Sequence, residues 1–387
     1  MASTFLTNKV IVREALMLLS ERLVGTALFG RNKEVEFKKT PKVGASVSVR
    51  RGGVGTFTEK SATSQPSVTF GDLTETEVSV TIEKQGILAV GIDDADRTLN
   101  INDFSEQILL PQVNEFAQRV NRYTLTKLKN LPTFGGVSES APGALPASVA
   151  DLAQIDKTLN DQLVPEGGRV AVVSSALNAA LLSIPTLQKV NESGNIDVLR
   201  RASVGNVMNM DFAMSQGIDS STFTSGTMTS AAVNGAVAAG ATSVTYDGAS
   251  GATVTLKAGD VIRIAGYGQV VVAADVTSVS SAGTITLTEQ VRTAIADNAA
   301  ITVYDGGGNT RQLHGAAFHP SAFEFVSIAG PPPMGGATGD SVQLGNLGMR
   351  VIFGWDSEKM QNQMTLDLYY GAACVDPRLG CQIPLNI

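Results

Sequence analysis

The feature that most restricts the fold is a change of texture near Thr222. From there to Val303 the chain is Ala, Gly, Thr, Ser and Val in short alternating runs. These are Val244-Thr245-Tyr246, Val254-Thr255-Leu256, Val261-Ile262-Arg263-Ile264, Val270-Val271-Val272, Ile285-Thr286-Leu287 and Ile301-Thr302-Val303, parted by Gly or Asp turns. Successive side chains of a strand point to opposite faces, so alternation reads as half-buried β-structure. Turn signals roughly every 8–12 residues select a small barrel or sandwich. Helical signal returns only weakly, near Thr288 to Ile295. The flanks read differently, mixing helix and strand, so a small all-β domain is expected inside an α+β host.

The host pattern begins with apolar residues at helical spacing, Ile11, Ala15, Leu18, Leu19 and Leu23, with Thr7 or Asn8 as cap. Glu34 to Lys39 is a short strand candidate. Val47 and Val49 alternate with Ser46, Ser48 and Arg50; Val78, Val80 and Ile82 alternate with Glu77, Ser79, Thr81 and Glu83. Together Ala45 to Ile82 reads as a long two-stranded arm with a polar tip. A lone hairpin is at best marginal in water, so such an arm needs support from a neighbour. Asp103 to Asn130 reads as the longest helix, with capping-box spacing at Asp103 and Glu106 and the stripe Leu109, Val113, Phe116, Val120 and Tyr123. It would run about 40 Å, and Pro111 should kink it or mark its true start. Ser148 caps a helix bearing Leu152, Ile155, Leu159 and Leu163, stopped at Gly167-Gly168. Arg169 to Val173 is a buried strand and Ser174-Ser175 opens another helix, an α/β layer. After the β passage, the strands around Leu347 to Phe353 and Leu366 to Tyr370 are expected to complete the sheet begun before it.

Function classes fall away in turn. Net charge is −7 over 387 residues, and no basic run exceeds Lys38-Lys39, Arg50-Arg51 or Arg200-Arg201. A tight nucleic-acid binder would cluster its cations. Charged residues are only 17%, against about a quarter in ordinary domains, which suits a chain that buries much of its surface against copies of itself. The two cysteines, Cys374 and Cys381, are too few for a secreted disulfide framework and read as reduced thiols. The apolar stretch Ala15 to Leu19 is short and flanked by charges, neither signal peptide nor membrane span. His314 and His319 lack further ligands for zinc. Gly306-Gly307-Gly308-Asn309 is not followed by Gly-Lys-Ser/Thr, so it is no phosphate loop. No Gly-x-Ser-x-Gly elbow occurs. Asp93, Asp94 and Asp96 lack the central glycine and distal glutamate of a calcium loop. No catalytic, cofactor or metal site is expected, and the chain is read as not an enzyme.

Three stretches carry a family resemblance. The first is Glu77-Val78-Ser79-Val80-Thr81-Ile82 with Val90-Gly91-Ile92-Asp93-Asp94-Ala95-Asp96-Arg97. The second is Lys257-Ala258-Gly259-Asp260-Val261-Ile262-Arg263-Ile264-Ala265-Gly266. The third is Leu366-Asp367-Leu368-Tyr369-Tyr370-Gly371-Ala372-Ala373 with Asp376-Pro377-Arg378-Leu379-Gly380. In this order, the chain resembles the Hong Kong ninety-seven type capsid fold of tailed-phage major capsid proteins and encapsulins, and in particular podovirus coat proteins with an inserted β-barrel domain. The resemblance implies an N-terminal arm over 1–33, an E-loop and P-domain strands over 34–92, and a P-domain spine helix over 93–134. It further implies an A-domain first part over 135–221, the insertion over 222–305, and the completion of the A- and P-domains over 306–387. The insertion is shorter than in those relatives and richer in Ala, Gly and Ser.

Carried over, the resemblance implies a major capsid protein that builds hexamers and pentamers of an icosahedral shell. It would be assembled in the host bacterial cytoplasm and end in the virion, with a scaffolding protein, a portal and double-stranded DNA enclosed without sequence-specific contact. The arm from Met1 to Gly30 would reach across a subunit boundary. Assembly contacts are expected at Arg50, Arg51, Thr56, Phe57, Glu59, Lys60, Val68 and Phe70 of the E-loop and at Arg119 and Arg122 of the spine helix, with Pro111 as the kink. Lys60 lies where some relatives crosslink, but no acceptor or activating carboxylate is identified. The rivals are an encapsulin-like compartment around cargo and an adhesin with an immunoglobulin-like module. The adhesin reading calls for an export signal and sugar-binding aromatics in the β passage, whereas the single tryptophan, Trp355, lies outside it.

Overall fold

The computed structural model describes residues 13–19, 23–30, 43–51, 76–92, 109–135, 145–189, 204–218, 222–249, 254–278, 281–304, 308, 310–331, 338–344, 347–356 and 361–386. The expected strand Glu34 to Lys39, the hairpin tip, Asp93 to Asp96, and the cap Asp103–Glu106 lie outside them. Two compact units result: residues 1–47, 80–223 and 311–387 form one, and residues 48–79 and 224–310 the other.

In the first unit the organising strand is Gln361–Cys374. Lys84–Ile92 pairs with its residues 362–370, Leu347–Asp356 with 361–367, and Phe323–Ile328 with 369–374, all antiparallel. Its alternation sends Met364, Leu366, Leu368, Tyr370 and Ala372 to one face, where they join Val113, Phe116, Val120 and Tyr123 of the long helix in one core. That helix is α-helical from Leu110 to Thr126 and tightens into a 3-10 turn at Lys127–Asn130. Pro111 stands in its first turn, where a missing N–H costs no hydrogen bond. The described α-helical part is about 26 Å long; residues 103–108 of the Asp103–Asn130 reading lie outside the described residues. Gly86 is required where helix and sheet meet: a Cβ there would lie 3.0 Å from Phe116 and 3.1 Å from Tyr370. Phe29, Phe318 and Phe323 pack together with ring centroids 4.6–5.7 Å apart.

A second sheet in this unit runs Gly380–Asn386, Thr310–Phe318, Arg169–Val173, Met210–Met214, Asn206–Val207. Helix Val149–Asp161 starts at Ser148, whose N–H donates to Asp151 Oδ2 at 2.9 Å. Its Leu152, Ile155 and Leu159 share a core with Leu177 and Leu181 of helix Ser175–Leu182. Two expectations are corrected here. Leu163 is not on the buried stripe: the helix ends at Asp161, Leu163 takes the left-handed turn (φ 57°) that closes a helix, and Val164 fills the core in its place. The strands Leu347–Asp356 and Gln361–Cys374 join Lys84–Ile92 and so complete a sheet begun before the β passage, whereas the α/β sheet is completed by Thr310–Phe318 and Gly380–Asn386. Alternation tells a strand's faces but not its partner. Finally, residues 13–19 and 23–30 of the expected arm are packed into the chain's own core through Ala15, Leu16, Leu19, Leu23 and Phe29. Their apolar stripe is satisfied by the long helix beside it, with Gly25 N–H donating to Asn121 Oδ1 at 3.1 Å.

Within residues 224–310 six short strands form one antiparallel row: Gly268–Val271, Val261–Ile264, Ala300–Val303, Ala231–Val233, Ser243–Asp247, Gly283–Thr286. The two end strands are tied by Thr288 N–H to Val271 O (3.0 Å) and Ala273 N–H to Thr286 O (2.8 Å), so the row returns on itself. No helix forms at Thr288 to Ile295. Val291 N–H and Ile295 N–H instead donate to Ala241 O and Val237 O at 2.8 and 2.9 Å, long-range bonds that use the groups a helical turn would need. The hairpin strands Ser46–Arg51 and Thr76–Thr81 form a separate two-stranded sheet.

Candidate functional site

The expected contact residues divide sharply. Arg50 is exposed on its strand, and Arg51 ends that strand. Thr56, Phe57, Glu59, Lys60, Val68 and Phe70 lie outside the described residues. Arg119 and Arg122 are exposed on the long helix, three residues apart and hence neighbours on one face. They border a groove of about 460 Å³ whose lining includes Lys84, Glu115, Tyr123 and Tyr370. Arg119 Nε donates to Glu115 Oε1 at 2.7 Å, in the open. Arg122 has no ion pair among the described residues.

The floor of the groove is built more firmly than its rim. Tyr123 Oη donates to Glu83 Oε2 at 2.5 Å, and Lys127 Nζ reaches both Glu83 oxygens at 2.7 and 2.8 Å. Burial works to raise the Glu83 pKa, but the hydrogen bonds from Lys127 and Tyr123 outweigh it and hold the carboxyl below its ordinary range. Burial and the same carboxylate push the Tyr123 phenol up, so it stays a proton donor. The ammonium of Lys84 sits 4.9 Å above the Tyr123 ring, and Tyr370 meets that ring edge-on at 5.0 Å. None of Glu83, Lys84 or Lys127 was singled out from sequence, and Tyr123 was read only as one of an apolar stripe. Glu83 and Tyr123 are 40 residues apart, a pairing no local pattern announces.

Two arginines, Arg169 buried and Arg350 largely so, were also not singled out as paired charges. Arg169 is 2% exposed and every side of its guanidinium is used: Nη1 to Asp156 Oδ1 (2.7 Å), Nη2 to Asn160 Oδ1 (2.7 Å) and Val164 O (2.6 Å), Nε to Pro165 O (3.0 Å). Arg350 forks onto Asp367, its register partner across the sheet, with Nε at 2.9 Å from Oδ1 and Nη2 on Oδ2. Gln85 Nε2 donates to the same carboxylate at 3.0 Å, and the hydrogen bond from Arg350 to Asp367 raises the Arg350 pKa. Both are structural: each charge is saturated by its own chain.

Of the sites weighed and set aside from sequence, one has a suggestive neighbour. His314 Nδ1 lies 3.1 Å from Ser174 Oγ, both buried. However, Ser174 Oγ already accepts from Leu177 N–H as the helix cap, and His314 Nε2 meets no partner that would orient it. A nucleophile needs an oriented base, and burial, which depresses the His314 pKa, further keeps the ring neutral. The pair therefore ties a β-bulge at Leu313–Gly315 to a helix start. Cys374 and Cys381 are not joined in a disulfide; burial pushes Cys381 up to about 12, far from a reactive thiolate. Among the described residues no group of His, Cys, Asp or Glu could hold a metal ion, and no helix is long and apolar enough to cross a membrane.

No family model matches the sequence, and no curated protein matches it. Solved structures do. A chain from the capsid structure of the cyanophage P-SCSP1u aligns at 13% identity over 89% of this chain and 84% of that one, with a TM-score of 0.45. One from the capsid of Ralstonia phage GP4 aligns at 10% identity over 94% and 88%, also at 0.45. A chain from Mycobacterium phage Che8 aligns at 16% identity over 93% of this chain and 90% of that one, with a TM-score of 0.51. On that last alignment, this chain shares its fold with a protein of a mycobacterial phage.

Proposed function

We propose that this chain is the major capsid protein of a tailed bacteriophage, a shell subunit and not a catalyst. The observation that carries the reading is the fold likeness to the Che8 chain, which leaves almost nothing of either chain unaligned. The order of parts in the sequence agrees with it: hairpin, long helix, α/β layer, β passage and returning strands. On this reading the hairpin 46–81 is the E-loop and Leu110–Thr126 the core of the spine helix. The sheet around Gln361–Cys374 belongs to the P-domain, and the α/β sheet is the A-domain. Residues 224–310 are then an inserted barrel domain. One chain would fill hexamers and pentamers through repeated heterologous contacts that close into a shell. Single contacts stay modest so that errors anneal, and their number makes the closed particle durable. Scaffolding protein, portal and enclosed double-stranded DNA are the partners this role requires; assembly in the bacterial cytoplasm and residence in the virion follow from it.

Negative-stain electron microscopy of the overexpressed, purified chain tests the proposal. Closed particles or capsomer rings are expected. A monodisperse, well-folded monomer at high concentration, with no particles in any extract, overturns it.

A further inference from the structure

The sequence holds a single Asn-Gly step, Asn234-Gly235. Glycine has no Cβ to fend off an approaching group, so at such a step the Gly nitrogen can reach the carbonyl carbon of the Asn side chain. Asn234 is exposed and directly follows the strand Ala231–Val233. Gly235 takes φ 79°, and among the described residues no heavy atom of a non-adjacent residue lies within 4 Å of where its Cβ would stand. Nucleophile and electrophile are covalent neighbours, which removes the entropy of an encounter. Sequence and access together mark this step for ring closure.

One contact stands in the way. Gly235 N–H donates to Asp297 Oδ1 at 2.8 Å. That carboxylate is steadied by the next residue: Asn298, in the left-handed conformation (φ 60°), donates its N–H to Asp297 Oδ1 at 2.9 Å and its Nδ2 to Oδ2 at 3.0 Å. Two backbone bonds, Val233 N–H to Ala299 O and Asn298 N–H to Val233 O, both 2.9 Å, fasten the two turns face to face. Asn234 is fixed as well, its N–H donating to Thr245 O at 2.9 Å and its O accepting from Thr245 Oγ1 at 2.7 Å. For attack, the Gly235 nitrogen must give up its proton and pivot onto the Asn234 side chain. The charge-assisted bond on that same N–H has to break first.

We propose that Asn234 is a site of spontaneous deamidation in this chain and that Asp297 is the latch that restrains it. When the latch opens, the Gly235 nitrogen bonds to Asn234 Cγ, the Cγ–Nδ2 bond breaks, and the side-chain nitrogen leaves with the Gly235 proton as ammonia. Water then opens the succinimide ring. Cleavage at Cγ gives aspartate; cleavage at the main-chain carbonyl gives isoaspartate, whose backbone is one carbon longer. Either product carries a new carboxylate next to the Asp297 contact, and like charges there oppose closing the latch again.

Peptide mapping by mass spectrometry of the full chain, aged at mildly alkaline pH, reads the reaction as a gain of about one dalton on the Asn234 peptide. In the folded parent the rate should be about tenfold or more below that of the same chain unfolded in urea, the order expected of one hydrogen bond to a charged group. Asp297→Ala should raise the folded rate by about fivefold or more and leave the urea rate unchanged. Asp297→Asn, which keeps an acceptor oxygen without the charge, should fall between the two. Circular dichroism checks that each variant is folded; if Asp297→Ala is not, Asp297→Asn against the parent carries the comparison. Equal rates for the folded parent and the urea-unfolded chain overturn the latch. So does a folded variant that ages no faster than the parent, and a slower one would make the carboxylate a base for the ring closure instead. If Asn234 of a folded variant reacts no faster than the other asparagines, the site itself fails. None of these readouts requires assembly, so they stand or fall apart from the shell reading.

Discussion

The core around the long helix gathers residues from Ala15 to Ala372, whereas the core within residues 224–310 draws every member from Ala231 to Val303. The first is aromatic at its centre, with Phe29, Phe318 and Phe323 in contact. The second is almost entirely Val, Ile, Leu and Ala, with Tyr246 its one buried ring. Their polar interiors differ too. Arg169 of the first unit is saturated by nearby partners and Asp367 by Arg350 and by Gln85, the latter 282 residues away, while the Tyr246 hydroxyl of the second is buried without one. Wide separation means that loop-closure entropy must be met before any contact rewards it. The core of the first unit therefore spans nearly the whole chain, and the core within residues 224–310 spans only its own stretch.

The largest effect expected from this contrast is all-or-none. A fragment of residues 222–310 should give a dispersed amide NMR spectrum by itself, and a fragment of residues 80–223 should not. A random-coil spectrum from the first, or a folded one from the second, breaks the comparison. Next comes Asp367→Ala, which leaves the Arg350 guanidinium without its carboxylate in a sheet where that side chain is 13% exposed; a loss of about 3 kcal/mol is expected from denaturant melts. Replacing both partners together, Arg350→Met with Asp367→Leu, should recover most of it, because breaking a buried pair costs more than deleting it. A double variant as unstable as the single one would mean that the ions do more than neutralise each other. The smallest effect belongs to the second unit. Tyr246→Phe removes a hydroxyl that gains nothing where it lies, and stability should stay level or rise by up to about 1 kcal/mol. A clear loss would reveal a partner for that oxygen and narrow the contrast between the two interiors.

Much of the local architecture is legible in the residues. All six alternating runs between Val244 and Val303 overlap strands, the stripe Val113, Phe116, Val120 and Tyr123 is buried, and Ser148 begins its helix. The misreadings share one cause. Leu163 fitted a helical repeat but the helix had already turned, and Thr288 to Ile295 had helical spacing but found strand partners at Ala241 and Val237. The resemblance placed residues 13–19 in an arm, but their apolar face shares a core with helix residues about a hundred positions on. For the groove, Arg119 and Arg122 could be named from an exposed helical face, but Lys84 and Tyr370 could not.

Sequence alone determined which face of each element is apolar, where most of them turn, and that one β-rich passage is set inside a mixed host. Periods of two and of about 3.6 residues are properties of a single backbone and can be read along it. Only the tertiary structure decided which strand lies beside which, that Gln361–Cys374 is shared by three neighbours, and that Glu83 holds the Tyr123 hydroxyl. Those choices set apolar area and paired charge, gathered from the whole chain, against the entropy of bringing distant segments together. No window of sequence contains both sides of that balance.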